Sequence, residues 1–223
     1  MQLIAASYLR HGFYWYVTGS IPTGKDPAKI DRKLIAKYGI AVSEWERRSR
    51  KQRGIANAHY LRYQRWFILL VSDGHHALKQ PSAKGGEGEH LRDCRRTPIR
   101  FDGYSISYRR AGVTPAGAPT LKWHAHVRID DNTYRVLKDR FLDLAMHRSA
   151  ETLASEIARI PFARYAPIRR QLLNILRAVN ERRKQQSFEL IPHSALKLKR
   201  TPVKVYVPPA PDAHQLRTMV EAA

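Results

Sequence analysis

Cysteine is almost absent: Cys94 stands alone in 223 residues. No intramolecular disulfide can form, and no cysteine-rich zinc site exists. Such usage suits a reducing compartment. Acidic residues are also scarce, with 19 Asp and Glu against 40 Lys and Arg. Long apolar runs are missing; the longest, Trp66–Val71, is far too short to span a bilayer. The opening MQLIAASYLRHGFYWYVTG has no basic region followed by a clean apolar stretch, so it does not read as a signal peptide. A cytoplasmic location is expected. Neither a Walker A lysine motif nor zinc-finger spacing is found, which argues against ATPase and zinc-finger readings.

What is present is charge on a chain able to fold. The formal net charge is +21, while 43% of the residues are hydrophobic, enough for a real core. Cations crowded on a compact chain repel one another. A polyanion relieves that repulsion, and each phosphate neutralised releases counterions. Nucleic acid is the expected partner, single-stranded DNA or structured RNA, with an anionic membrane surface as the rival. A homodimer or a larger nucleoprotein assembly is compatible with this reading.

The pattern of residues predicts an α+β fold. Phe13–Thr18 is aromatic and β-branched, as strands are. Asp26 followed by Pro27 marks a helix start, with Ile30, Leu34, Ile35 and Tyr38 at helical spacing and Gly39 after them. Ser43 with Glu46 forms a capping box for a second helix carrying Arg47, Arg48, Arg50, Lys51 and Arg53. Trp66–Val71 reads as a buried strand. Residues 79–98 lack periodicity and read as a long, flexible loop. Further strands are expected at Tyr104–Tyr108 and Leu121–Ile129, joined by a hairpin-like connection, and helices over 132–147 and 151–159. A longer helix from Pro167 presents Ile168, Leu172, Ile175, Leu176 and Val179 on one side and Arg169, Arg170, Arg177 and Arg182 on the other. The simplest assembly is one antiparallel sheet, ferredoxin-like or HUH-like, with helices on one face. A single domain over 1–190 would precede a basic, proline-rich, extended arm over 191–223.

The most informative stretch alternates strictly. As a strand it turns Leu121, Trp123, Ala125, Val127 and Ile129 to the core. Lys122, His124, His126, Arg128 and Asp130 face the other way. Two imidazoles at i and i+2 are close enough to grip one divalent metal ion, and Lys122 and Arg128 would sit beside a phosphate. The plainer reading is a pair of surface or phosphate-contacting histidines on a basic sheet face.

His124-Ala125-His126 resembles the His-hydrophobe-His signature of the HUH endonuclease superfamily: rolling-circle replication initiators, relaxases and single-tyrosine transposases. The aromatic strand with Tyr16-Val17-Thr18 is similar to their opening strand, and the resemblance could extend over 12–185. It implies an antiparallel sheet core, Mg²⁺ or Mn²⁺ held by His124 and His126, and a tyrosine nucleophile that nicks single-stranded DNA through a 5′-phosphotyrosine. Tyr165, in FARYAPIRRQ, suits the nucleophile, with Arg164, Arg169 and Arg170 on flanking phosphates and Gln171 as third metal ligand. The chain departs from the family in that Pro167 sets Tyr165 before its helix and Gln171 lies six residues after the tyrosine. Tyr134, with Lys138 four residues on, is the competing nucleophile, although it shares a face with Leu137 and Phe141. Asp73 or His75 would complete a metal site, or simply form a polar turn.

Tyr60, Tyr63 and Trp66 interleave with Arg62 and Arg65, and Tyr104 and Tyr108 precede Arg109 and Arg110. Rings that stack on bases beside arginines that hold phosphates favour unpaired nucleic acid. Two other readings stay open. One is a ferredoxin-like RNA-binding protein or metal-independent ribonuclease resembling CRISPR repeat-processing enzymes. The other is a non-catalytic subunit of a nucleoprotein assembly.

Overall fold

A computed structural model of the chain describes residues 1–80, 91–110, 117–119, 122–197 and 199. The fold is α+β with antiparallel sheets and packed helices. A π-helical turn over Ile4–Tyr8 and a 3-10 turn over Leu9–His11 lead into β1, Trp15–Ser20. Two helices follow, α1 over Pro27–Lys37 and α2 over Glu44–Gln52. Both start where their caps dictate: the Asp26 carboxylate accepts from the Ala28 amide, and the Ser43 hydroxyl accepts from that of Glu46. A hairpin comes next, β2 over Ala58–Tyr63 and β3 over Trp66–Val71. Short strands β4 (Arg92–Asp93) and β5 (Ile99–Phe101) precede β6 (Tyr104–Arg110) and β7 (Trp123–Ile129). The chain then forms α3 (Asp131–Leu144), α4 (Ala150–Ala158) and α5 (Ala166–Gln185).

The strands form two sheets rather than the expected one, ordered β2-β3-β1-β4 and β5-β6-β7. Cys94 links them: its amide donates to the Tyr14 carbonyl (2.9 Å) and its carbonyl accepts from the Tyr108 amide (3.4 Å). Apolar residues cover both faces of the four-stranded sheet, so helices do not keep to one side. Alternation along the strands explains why. Val17, Leu69 and Val71 join Tyr38 and Ile40 in a smaller cluster with Leu34 and Ile35 of α1. Tyr16, Ile68 and Leu70 turn the other way into the main core. That core also takes Ile106, Val127 and Ile129 from the second sheet, Leu9 from the N-terminus, and Phe141, Leu153 and the full apolar stripe of α5.

Two segments differ from expectation. Residues 91–98, read as part of a loop, hold β4 and the fully buried Cys94; residues 81–90 of that loop lie outside the described residues. The packed unit also continues past 190. Ile191 and Leu196 are buried in the main core, and the Asn180 carboxamide brackets Ile191, donating to its carbonyl (2.8 Å) and accepting from its amide (2.9 Å). The proline-rich part of the proposed arm, and the connection over 111–116, lie outside the described residues.

Candidate nucleic-acid interface

The β6–β7 ladder sets the candidate residues in pairs. His124 faces Arg109, His126 faces Ser107, and Arg128 faces Ser105. Paired residues in an antiparallel ladder share a face, and Arg100 of β5 pairs with Ser105 on the same side. One surface of the three-stranded sheet therefore carries Arg100, Arg109, His124, His126 and Arg128. Its opposite surface carries Tyr104, Ile106, Tyr108, Val127 and Ile129 into the core. The expected alternation holds from Ala125 onward. It ends at Trp123, which is 41% exposed; Leu121 lies outside the described residues.

The two imidazoles are neighbours but not equivalents. His124 is exposed, and its Nδ1 lies 3.4 Å from the Lys122 carbonyl. His126 is half-buried. Burial first, then Arg109, Arg128 and His124, hold its pKa below the usual histidine range. Its Nδ1 is buried and meets no hydrogen-bonding partner among the described residues, and the same holds for Nε of Arg128. Carboxylates reach this face at its α3 end, where Asp131 pairs with Arg128 and Asp130 with Arg100 (3.2 Å).

The other parts of the expected metal and nucleophile set are not brought here. Gln171 donates from Nε2 to the Ile129 carbonyl (3.0 Å) and accepts at Oε1 from the Ile129 amide (2.8 Å). Both ends of its carboxamide are thus committed to the edge of β7, which corrects its assignment as third metal ligand. Tyr165 caps the N-terminus of α5, packs against the main core and has a buried hydroxyl oxygen. That hydroxyl is within electrostatic reach of Tyr104, whose ring is on the core side of the sheet. Tyr165 thus packs on the core side, whereas His124 and His126 lie on the opposite face of β7. Tyr134 packs on the core, as its spacing with Leu137 and Phe141 implied. Among the described residues, no group of three or more His, Cys, Asp or Glu is placed to hold a metal ion.

Several arginines predicted to hold phosphates have structural work instead. Arg164 is buried and donates to the carbonyls of Phe162 (2.8 Å) and Lys197 (3.0 Å). In α2, Arg48 pairs with Glu44, while Arg50 and Arg53 both pair with Glu46. Arg50 also donates to the Gly39 carbonyl (3.0 Å). Arg47 is half-buried beside His59. Of these five cations, Arg47 and Arg50 are half-buried and committed to the fold, while Arg48, Lys51 and Arg53 stay exposed, two of them in solvent-exposed pairs. On α5, Arg170, Arg177 and Arg182 are exposed and Arg169 is half-buried.

Of the β2 aromatics, Tyr63 remains 56% exposed with an edge contact to Phe101, while Tyr60 is engaged. The Tyr60 hydroxyl donates to Asp31 (2.5 Å), Arg62 pairs with the same carboxylate, and Arg65 donates to the carbonyls of Pro22 and Thr23. Asp73 accepts from the Trp15 indole (2.7 Å), and His75 bridges to Gly54 and Ala56 through its backbone, as a polar turn would. The β2–β3 and β5–β6 hairpins lie where the sequence pattern predicts only one strand of each. Asp102-Gly103 carried the signal for one: both residues have positive φ (48° and 73°), the two-residue turn that joins paired Phe101 and Tyr104. The Gln64-Arg65 turn has no such signature.

No described helix is long and apolar enough to cross a membrane. No family model, no curated protein and no solved structure matches the chain.

Proposed function

We propose that this protein binds nucleic acid, with the outer face of the β6–β7 ladder as its principal phosphate-contacting surface. The observation that carries the reading is the gathering of Arg109, His124, His126 and Arg128 on one side of two paired strands, on a chain of net charge +21. Guanidinium groups and imidazole N–H groups are good donors to phosphate oxygens. Nδ1 of His126 and Nε of Arg128 have no hydrogen-bonding partner among the described residues, so the polar groups of this face are not all satisfied within the fold. Exposed Arg170 and Arg177 lie on α5, which packs along β7, and add to the field.

Titrating a labelled oligonucleotide against the protein over a range of salt tests this. Affinity should fall steeply with salt, and Arg109→Ala should make the slope shallower by about one unit, the share of a single neutralised phosphate. Affinity that ignores Arg109→Ala and Arg128→Ala alike would sink the assignment of this face.

The side-by-side imidazoles favour a second reading, metal-dependent nicking of single-stranded DNA through Tyr165. It requires the buried Tyr165 hydroxyl to become exposed on DNA binding. A covalent adduct formed in Mn²⁺ and abolished by Tyr165→Phe would put this reading first.

A further inference from the structure

Three aromatic rings run in a column from the four-stranded sheet to the end of β7. Tyr14 stacks on Tyr108 with ring centroids 5.0 Å apart and planes 25° apart. Tyr108 stacks on Trp123 at 5.6 Å and 12°. A guanidinium lies at each end: the Arg95 Cζ is 4.6 Å from the Tyr14 centroid, and the Arg110 Cζ is 5.3 Å from that of Trp123.

The two ends differ. Arg95 is fixed at the Tyr14 end by Asp93, with Nε and Nη2 contacts of 2.9 and 2.8 Å. Tyr108 is buried in the middle. At the other end Trp123 is 41% exposed, and the exposed Arg110 forms no ion pair with a described carboxylate. Trp123 and Arg110 face each other on the last rung of the β6–β7 ladder. They adjoin Arg109 and His124, which point to the other side of the same two strands. The open end of the column thus sits at the rim of the basic face.

We propose that the indole of Trp123 is a stacking platform for an unpaired base of single-stranded nucleic acid. This rests on the reading that the basic face takes phosphates. The indole is already aligned by two tyrosines, so accepting a base displaces only the Arg110 guanidinium, which lowers the entropic cost of binding. The Arg110 guanidinium holds the position of a base edge or base plane. When a base arrives, it stacks against the indole, and the cation moves to the adjoining phosphate. Duplex DNA or RNA cannot use the platform, because paired bases have both faces occupied by their neighbours. A purely structural column would gain more by burying the indole than by leaving it open under a cation.

The test compares two single strands of equal length and charge, one of oligothymidylate and one of abasic sugar-phosphate, each of about 12 nucleotides. Binding is read by fluorescence anisotropy over a range of salt, and the two strands are compared at each ionic strength. Wild-type protein should hold the base-bearing strand roughly tenfold more tightly than the abasic one. Trp123→Ala should bind both strands at the abasic level with an unchanged salt slope, and Trp123→Phe should keep part of the preference. Equal binding of the two strands by wild-type protein overturns the platform without recourse to any variant. So does a preference that survives Trp123→Ala. If neither strand binds, the phosphate face itself is wrong, and the platform falls with it.

Discussion

Gln171 on α5 completes the hydrogen bonding of Ile129 on β7, giving its carboxamide N–H to the carbonyl and taking the amide N–H on its oxygen. A side chain here does what a neighbouring strand would do, and it fixes the long helix to the sheet edge that bears the two histidines. Gln171→Leu should leave both groups of Ile129 without their partner and lower stability by about 1–3 kcal/mol. Thermal unfolding measures this. Gln171→Glu should recover only part of the loss, because a carboxylate cannot donate to the Ile129 carbonyl. Metal affinity measured by calorimetry should not distinguish either variant from wild type.

Two arginines of one helix should behave in opposite ways. Arg183 is buried and donates to the carbonyls of Ala145, Arg148 and Glu189 at 2.6–2.8 Å, which ties the end of α3 to the end of α5. Arg183→Met should cost about 3 kcal/mol or more, since those carbonyls lose a charged donor. Exposed Arg177→Ala should change stability by no more than about 0.5 kcal/mol. Denaturant melts and oligonucleotide titrations together separate the two. Only Arg177→Ala should weaken binding in a protein that still melts like wild type.

His59 makes stability depend on acid. It is packed between Tyr8 and Phe13 (centroids 4.9 and 4.8 Å), and burial, aided by Arg47, lowers its pKa to about 4. Between the ordinary histidine value near 6.5 and about 4, the unfolded chain binds a proton that the folded chain refuses. This group's contribution is therefore complete above pH ~6.5, falls as pH drops toward 4, and is constant below. His59→Phe should flatten that part of the curve of melting temperature against pH.

Affinity for nucleic acid should respond to acid in the other direction through His126. Its pKa is held down in the free protein by burial and by Arg109, Arg128 and His124. A phosphate beside it favours the charged form and pulls the pKa up. Binding should then take up a proton and tighten as pH falls below neutrality. His126→Gln should remove much of that dependence. Anisotropy titrations across pH 5.5 to 8, roughly the window in which imidazoles titrate, measure both.

Asp131 offers a gain of function. Its carboxylate pairs with Arg128 while 71% exposed. Asp131→Asn removes the competing anion from a cation of the basic face, at little cost to stability for so exposed a pair. The variant should bind oligonucleotides more tightly at low salt and show a steeper salt dependence than wild type.

The amino-acid sequence by itself determined the helices, the longer strands β1, β3, β6 and β7, and the sign of the protein's field, but not β2, β4 or β5. Caps and periodicity are short-range, so Asp26, Ser43 and the Ile168–Val179 stripe placed their helices, and strict alternation placed Val127 and Ile129 in the core with His124 and His126 opposite. Tertiary structure alone decided which polar groups remain available to a ligand. Every arginine reads as a free cation in a string of letters, yet Arg164 and Arg183 are consumed by carbonyls far away in sequence, and Arg50 and Arg53 share Glu46. Gln171 and Tyr165 were likewise diverted, one to a strand edge and one to the core. Trp123 came to the surface because the core ends before the strand does. Those outcomes depend on contacts across the fold, where the demand to satisfy buried polar groups outweighs any local preference.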